Sequence, residues 1–208
     1  MSDAPRDASP SALSRRQLIA AMAATAGAFM VPRPAEAAMA MRTAMLRAGA
    51  AGGSYAPKVF TDHEWATVRL LVDYLIPRDD VSGAATDALV PEFMDTMLDL
   101  EPEMSTPTRG GLAWLDSECQ RRFSVNFVDC AEVQRRQVLD DLAWPQRARP
   151  ALAAGVAWFS SFRDFTATGF FTSEMGVKDL GYQGNTALPE WTGCPEANYQ
   201  RLGVTKPL

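Results

Sequence analysis

Apolar residues recur at helical spacing in five stretches between Phe60 and Thr168, and polar residues fill the positions between them. Side chains three and four positions apart lie on the same face of an α-helix, so this pattern predicts amphipathic helices. No stretch alternates apolar and polar residues for long enough to predict a half-buried strand. The predicted fold class is therefore all-α, a bundle of about five helices.

Capping residues and prolines predict where these helices begin and end. Thr61 and Glu64 have the form of a capping box, and Pro77 ends that first helix. Pro91 is compatible with a second helix only near its first turn. Thr106 and Pro107 are the predicted N-cap and first residue of the third helix, and Asp129 with Glu132 forms a second capping box for the fourth. The five predicted helices cover residues 61–77, about 87–100, 106 to beyond 122, 129–144 and about 150–168. The predicted core-facing side holds Val133, Gln137, Leu139 and Leu142 in the fourth helix and Trp158, Phe162 and Phe165 in the fifth.

The start of the chain has the pattern of a twin-arginine export signal. Arg15 and Arg16 follow Ser14, and an apolar run from Leu18 to Val31 comes next. This run has 14 residues, fewer than the roughly 20 that a spanning helix needs, so an uncleaved membrane anchor is the weaker interpretation. The twin-arginine route carries folded proteins, usually because a cofactor or a partner must be acquired before export.

A cleavage site and two domain limits follow from the composition. Ala35 and Ala37 flank Glu36 in a small-residue cleavage pattern, so residues 1–37 are the predicted signal. Residues 38–58 are rich in Ala, Gly and Met with few periodic positions, which predicts an extended linker. Residues 59–208 then form the domain. After about residue 168 the chain is rich in Gly, Pro and aromatic residues, and it is too apolar to be disordered, so we expect an irregular but structured C-terminal extension.

The inventory of reactive residues argues against an enzyme. The chain has one histidine, His63, and no HExxH, CxxC or CxxCH pattern for zinc, iron–sulfur or covalent haem. It also lacks GxGxxG after a strand, GxxxxGK[ST] and GxSxG. The formal net charge of −5, without a cluster of Lys and Arg, disfavours nucleic-acid binding. We therefore predict no catalytic, cofactor-binding or metal site in this chain.

Three cysteines, Cys119, Cys130 and Cys194, leave two interpretations open. Export to an oxidising compartment permits disulfides, and Cys119 and Cys130 are close enough in sequence to bridge a helix–loop–helix corner. Such a bridge would stabilise the domain by about 2–3 kcal/mol in the loop-entropy model. Cys194 would then be a free thiol or would pair with another chain. The alternative is three reduced thiols.

Four aromatic residues of the tail are candidates for a partner interface: Phe170, Phe171, Tyr182 and Trp191. Large aromatic side chains are enriched in the cores of protein interfaces. The competing interpretation is that they cover the core of the bundle itself.

Several segments resemble one known family. FTDHEW at 60–65, LIPRDDVSGA at 75–84, VPEFMD at 90–95 and above all FRDFTATGFFTSEMGVKDLGYQGN at 162–185 are similar to the gluconate 2-dehydrogenase subunit 3 family, as is the twin-arginine leader. The resemblance covers roughly residues 60–203. The closing EWTGCPE looks most like the members that accompany glucoside or other sugar 3-dehydrogenases.

The resemblance implies an accessory small subunit with no catalytic residues of its own. The implied partner is a large FAD-binding subunit of the glucose–methanol–choline type, often joined by a c-type cytochrome, so the FAD is expected in the partner. With the twin-arginine translocase as a further partner, the expected location is periplasmic, at the inner membrane through the complex. The alternatives are an exported chaperone that releases its client and a small exported hydrolase with an unrecognised site.

Overall fold

A computed structural model describes residues 32–50, 55–182, 184 and 193–205 of the chain. The described residues contain eight α-helices and no strand, which confirms the all-α prediction. The helices are α1 (Pro34–Ala50), α2 (Asp62–Leu75), α3 (Val90–Leu100), α4 (Ser105–Phe123), α5 (Glu132–Ala143), α6 (Ala153–Thr172), α7 (Glu174–Asp179) and α8 (Glu196–Leu202), with 3-10 turns at Pro102–Met104, Phe127–Asp129 and Pro150–Leu152. None of the helices searched is long and apolar enough to cross a membrane.

The core lies between α3 and α6. Helix α6 packs against α1 to α5 and α7, and α3 is surrounded by α1, α2 and α6. Every residue from Val90 to Leu98 is buried, as expected for a helix enclosed on all sides. The rings of Phe93 and Phe165 meet edge to face at 5.5 Å and join the two helices.

The five predicted helices are present, and the first matches its prediction closely. The Glu64 amide donates to Thr61 Oγ1, and the Thr61 amide donates to Glu64 Oε2 at 2.8 Å, so the capping box is confirmed. The second helix begins at Val90 rather than Asp87, with Pro91 in its first turn as predicted. The starts of α2 and α3 depend on residues within four positions of each other, so the local sequence is sufficient to predict them.

Three predicted helix starts and half of one predicted face were wrong. Pro150 lies in the 3-10 turn Pro150–Leu152, and α6 begins at Ala153. Thr106 and Pro107 lie inside the first turn of α4, because a 3-10 turn precedes that helix and starts it early. Asp129 lies in another 3-10 turn, and the Ala131 amide at the start of α5 donates to Gln134 Oε1 instead. Val133 and Gln137 are exposed; the core-facing residues of α5 are Val138, Leu139 and Leu142.

The predicted linker over residues 38–58 was also wrong, since its residues 38–50 belong to α1. Ala37, Ala40, Met41 and Ala44 are buried at the spacing of one helical face, and α1 packs most extensively against α3. Alanine side chains let two helices approach closely but give a weak hydropathy signal. The domain therefore begins well before residue 59.

The segment after α1 is held to α3 by carboxylates. Asp95, fully buried, accepts hydrogen bonds from the Tyr55 hydroxyl at 2.8 Å and from the backbone amides of residues 58, 59 and 60. One turn further along α3, Asp99 pairs with Arg47 of α1 at 2.8 Å and with Lys58 at 3.2 Å. We call the Asp95 contacts the Asp95 clamp.

The predicted irregular tail is partly helical. Helix α6 continues to Thr172, and α7 follows after Ser173, whose Oγ accepts from the Gly176 amide at 3.0 Å. A Cβ at Gly176 would overlap the Phe170 carbonyl, so only glycine allows this turn. Residues 183 and 185–192 lie outside the described part of the chain.

A partly buried ion-pair network joins α4 to α5 and predicts a pH dependence. Hydrogen bonds from Arg121 at 2.7 Å and from Arg122 at 2.6 Å lower the pKa of Glu118 from 4.5 to about 2. Arg122 also donates to Asp141 of α5 at 2.7 Å. Because the pKa is lower in the folded state, Glu118 stabilises the fold above its ordinary pKa, and this contribution is lost as the pH falls towards about 2.

We expect Glu118→Gln to be less stable than wild type at pH 7 and to show a shallower loss of stability between pH 5 and pH 3. Urea unfolding at each pH measures this. Glu174→Gln is the control, because Glu174 pairs with Lys178 at an exposed position and such pairs contribute little. Equal stability of Glu118→Gln and wild type across this range would contradict the prediction.

Candidate partner interface

The export-signal residues fall largely outside the described structure. Ser14, Arg15, Arg16 and Leu18 lie in residues 1–31, so the twin-arginine signal stays a prediction. The cleavage residues are described: Ala35 is exposed and Ala37 is buried, both in the first turns of α1. Cleavage after Ala37 would therefore require the start of α1 to unwind from α3.

The structure separates the four predicted interface aromatics. Phe170 is buried in the core of this chain, so its assignment to a partner interface is corrected. Its neighbour Phe171 is 40% exposed, and the two rings meet edge to face. Tyr182 is 58% exposed. Trp191 lies outside the described residues. A helical turn places adjacent residues about 100° apart, which separates Phe170 from Phe171.

An apolar groove lies beside these aromatics. It encloses about 320 Å³ and joins α1, the turn before α3 and the start of α7. We call it the α7 groove, and its lining residues are Met45, Asp87, Ala88, Leu89, Ser173, Glu174, Met175 and Lys178. Leu180 and Tyr182 are exposed apolar side chains just past the end of α7. The Tyr182 amide donates to the Val177 carbonyl at 3.2 Å, which folds this end back onto α7.

Leu89 occupies an unfavourable backbone conformation at the groove. Its φ of 58° and ψ of 32° are left-handed, a region that costs a non-glycine residue about 1–2 kcal/mol. The residue is only partly buried, so the conformation holds an apolar side chain at the surface of the groove. Backbone strain of this kind is enriched at functional sites.

The charged side chains at the groove are held in two ion pairs. Asp87 pairs with Arg78 at 2.6 Å, and Glu174 pairs with Lys178 at 2.7 Å. These pairs neutralise the rim, so the surface offered to a partner is mainly apolar. Polar rims around apolar centres are usual in protein interfaces.

The sequence prediction missed the outer face of α1. Met39 and Leu46 are 60% and 67% exposed, and Met45 lines the α7 groove. Contiguous exposed apolar surface marks interaction sites in monomeric proteins. Methionines at 39, 41 and 45 with alanines at 37, 40 and 44 carry the helical spacing that would have revealed α1.

The acidic residues inside the domain have internal partners. The Asp95 clamp occupies both carboxylate oxygens with donors. Glu92 is nearly buried, 3.5 Å from Arg69, and burial raises its pKa. His63 Nε2 lies 2.6 Å from Asp116 Oδ2, and Asp116 Oδ1 accepts from the Phe127 amide. The described residues contain no cluster of three or more potential metal ligands. These contacts fix the local fold.

Cys119 and Cys130 are both buried free thiols. Helix α4, which carries Cys119, contacts the 3-10 turn Phe127–Asp129, which directly precedes Cys130. Cys194 is exposed. The Cys119–Cys130 disulfide stays a prediction.

The described residues thus form an all-α domain with an exposed apolar groove. A family model described as gluconate 2-dehydrogenase subunit 3 matches residues 62–189, more than half of the chain. The chain belongs to this family, which confirms the resemblance seen in the sequence; the sugar 3-dehydrogenase branch stays a prediction. No curated protein and no solved structure matches the chain. The matched range includes the turn before α3 and the start of α7, which line two sides of the groove, whereas α1 lies before it.

Proposed function

We propose that this chain is a non-catalytic small subunit of an FAD-dependent sugar dehydrogenase. It stabilises the flavoprotein subunit and carries the twin-arginine signal for both. Membership of a family described as a dehydrogenase subunit supports this proposal most directly. The FAD resides in a partner of the glucose–methanol–choline type, and a c-type cytochrome accepts the electrons in the periplasm, at the inner membrane.

The α7 groove and the exposed side chains beyond it are the proposed contact with the flavoprotein. Met45, Leu89 and Met175 give an apolar centre, and Leu180 and Tyr182 extend it. Burial of apolar surface drives most protein association. Met side chains adapt to irregular partners, which suits an interface that forms before export.

Co-expression with the FAD-binding subunit tests the proposal. We expect the two chains to elute together in size-exclusion chromatography, with flavin absorbance and dehydrogenase activity only when the flavoprotein is present. Replacing Arg15 and Arg16 by Lys should retain both chains in the cytoplasm. The proposal fails if the flavoprotein matures, is exported and turns over normally without this chain.

The surface variants Leu180→Asp and Tyr182→Asp test the interface. A charge placed in an apolar contact should weaken binding to the flavoprotein at least about tenfold. Val133→Asp is the matched control, because Val133 is 78% exposed on α5, which does not line the groove. Unchanged binding by Leu180→Asp and Tyr182→Asp, measured by calorimetry, would place the interface elsewhere. A lone small species in the periplasm, with no complex, would favour a chaperone that releases its client.

A further inference from the structure

The predicted cleavage residues Ala35 and Ala37 lie inside a packed helix. Helix α1 begins at Pro34, so the peptide bond after Ala37 follows the fourth residue of that helix. Ala37 is fully buried, and its amide donates to the Arg33 carbonyl at 2.9 Å. The bond that the small-residue pattern marks for cleavage is therefore part of the folded domain.

Contacts on both sides of this bond fix the start of α1. On the amino side, the Arg33 amide donates to Glu36 Oε2 at 3.2 Å, and Arg33 Nη1 lies 3.3 Å from Glu36 Oε1. On the carboxyl side, the buried face of α1 continues through Ala40, Met41 and Ala44, and the helix packs against α3 and α6. The first turn is therefore continuous with a helix that the core holds in place.

We propose that folded α1 protects the bond after Ala37 from signal peptidase, so that the exported subunit keeps its twin-arginine leader. A protease binds the segment that it cleaves in an extended conformation, which a hydrogen-bonded and buried helix does not offer. Cleavage of such a segment proceeds through a locally opened state, and its rate falls with the population of that state. The inference rests on the export signal of the proposed function.

The export route determines the state in which the peptidase meets the chain. The twin-arginine route carries folded proteins, so α1 is already packed against α3 when the leader reaches the outer face of the membrane. A chain exported unfolded would present residues 35–38 as an open segment, because most of the stability of a protein helix comes from tertiary packing. Protection therefore follows from folding before export.

Digestion of the purified full chain with signal peptidase in mild detergent tests the proposal. A synthetic peptide of residues 12–48 carries the same bond without the domain, and we expect cleavage of this peptide after Ala37. The folded chain should be cleaved at least about tenfold more slowly, as followed by mass spectrometry of the new amino terminus. Equal rates for the chain and the peptide, or a peptide that is not cleaved, would overturn the proposal.

Variants of α1 separate protection by packing from recognition of the cleaved bond. Met41→Asp places a charge on the buried face, whereas Leu46→Asp changes a side chain that is 67% exposed. Met41→Asp should bring the cleavage rate of the full chain close to that of the peptide, and the milder Met41→Ala should give an intermediate rate. Leu46→Asp should remain as resistant as wild type. If all three variants are equally resistant, packing of α1 does not protect the bond and the proposal is wrong.

The exported complex provides a second readout. We expect the small subunit recovered from the outer face of the inner membrane to retain the tryptic peptide of residues 7–15, which ends at Arg15. Its loss from the exported subunit, through cleavage at any bond before α1, would overturn the proposal. A subunit that stays in the cytoplasm would instead contradict the proposed export signal, and digestion of the purified chain would still decide whether α1 protects the bond.

Discussion

Gly111→Ala and Gly155→Ala should each lower the free energy of unfolding by about 2–3 kcal/mol. The reason is a reciprocal contact between α4 and α6. The indole of Trp158 from α6 covers Gly111, and the indole of Trp114 from α4 covers Gly155, so a Cβ at either glycine would overlap a ring. Trp158 is buried and lies tilted against Phe162, with 5.3 Å between the ring centroids, so its ring has little room to move. Trp114 is partly buried and packs against the core.

Gly110→Ala is the matched control for these variants. Gly110 is exposed in the same helix, and a Cβ there would meet nothing within 4 Å. We expect this change to raise stability by up to about 1 kcal/mol, because alanine favours helix more than glycine does. Urea unfolding of the three variants measures the differences. Stability of Gly111→Ala at or above that of wild type would show that the two helices are not packed through this contact.

Asp95→Asn should lower the free energy of unfolding by about 2–4 kcal/mol, although it changes one buried oxygen to an amide group. Both carboxylate oxygens of the Asp95 clamp accept hydrogen bonds from the segment 55–60. An asparagine would direct an N–H group at one set of these donors and leave buried donors without acceptors. The segment that links α1 to α2 would then separate from α3.

Asp99→Asn is the control for the clamp. Asp99 lies one turn further along α3, contacts the same segment through Lys58 and is about one-third exposed. Exposed pairs contribute little, so we expect a loss below about 1 kcal/mol. Calorimetric unfolding temperatures of both variants, together with hydrogen exchange of the amides of residues 58–60, provide the measurement. Equal effects of Asp95→Asn and Asp99→Asn would contradict the distinction between a buried clamp and a surface pair.

The predictions that succeeded rest on short-range signals. The Thr61–Glu64 box, Pro91 in a first turn and the core positions Phe162 and Phe165 all depend on residues within one or two helical turns. Helix α1 was missed because its buried face consists mainly of alanine. The helical spacing of its alanines and methionines is present in the sequence, but alanine gives a weak hydropathy signal, and the packing of α1 against α3 shows that this face is buried.

The candidate interface was predicted in part. The sequence directed attention to the tail, where Phe171 and Tyr182 are exposed, but it did not separate Phe171 from the buried Phe170. The α7 groove was not predictable, because its lining comes from Met45, Leu89 and Met175, which are distant in sequence. Assembly of such a surface depends on how the helices pack.

The sequence by itself determined the all-α class, the family and several helix limits, because helix caps and helical periodicity depend on residues that are neighbours in the chain. It also supplied the predicted export signal. Only the tertiary structure decided that α1 completes the core and that Met45 meets α7. These contacts join residues far apart in the chain, and their energies depend on close packing and burial that no local pattern records.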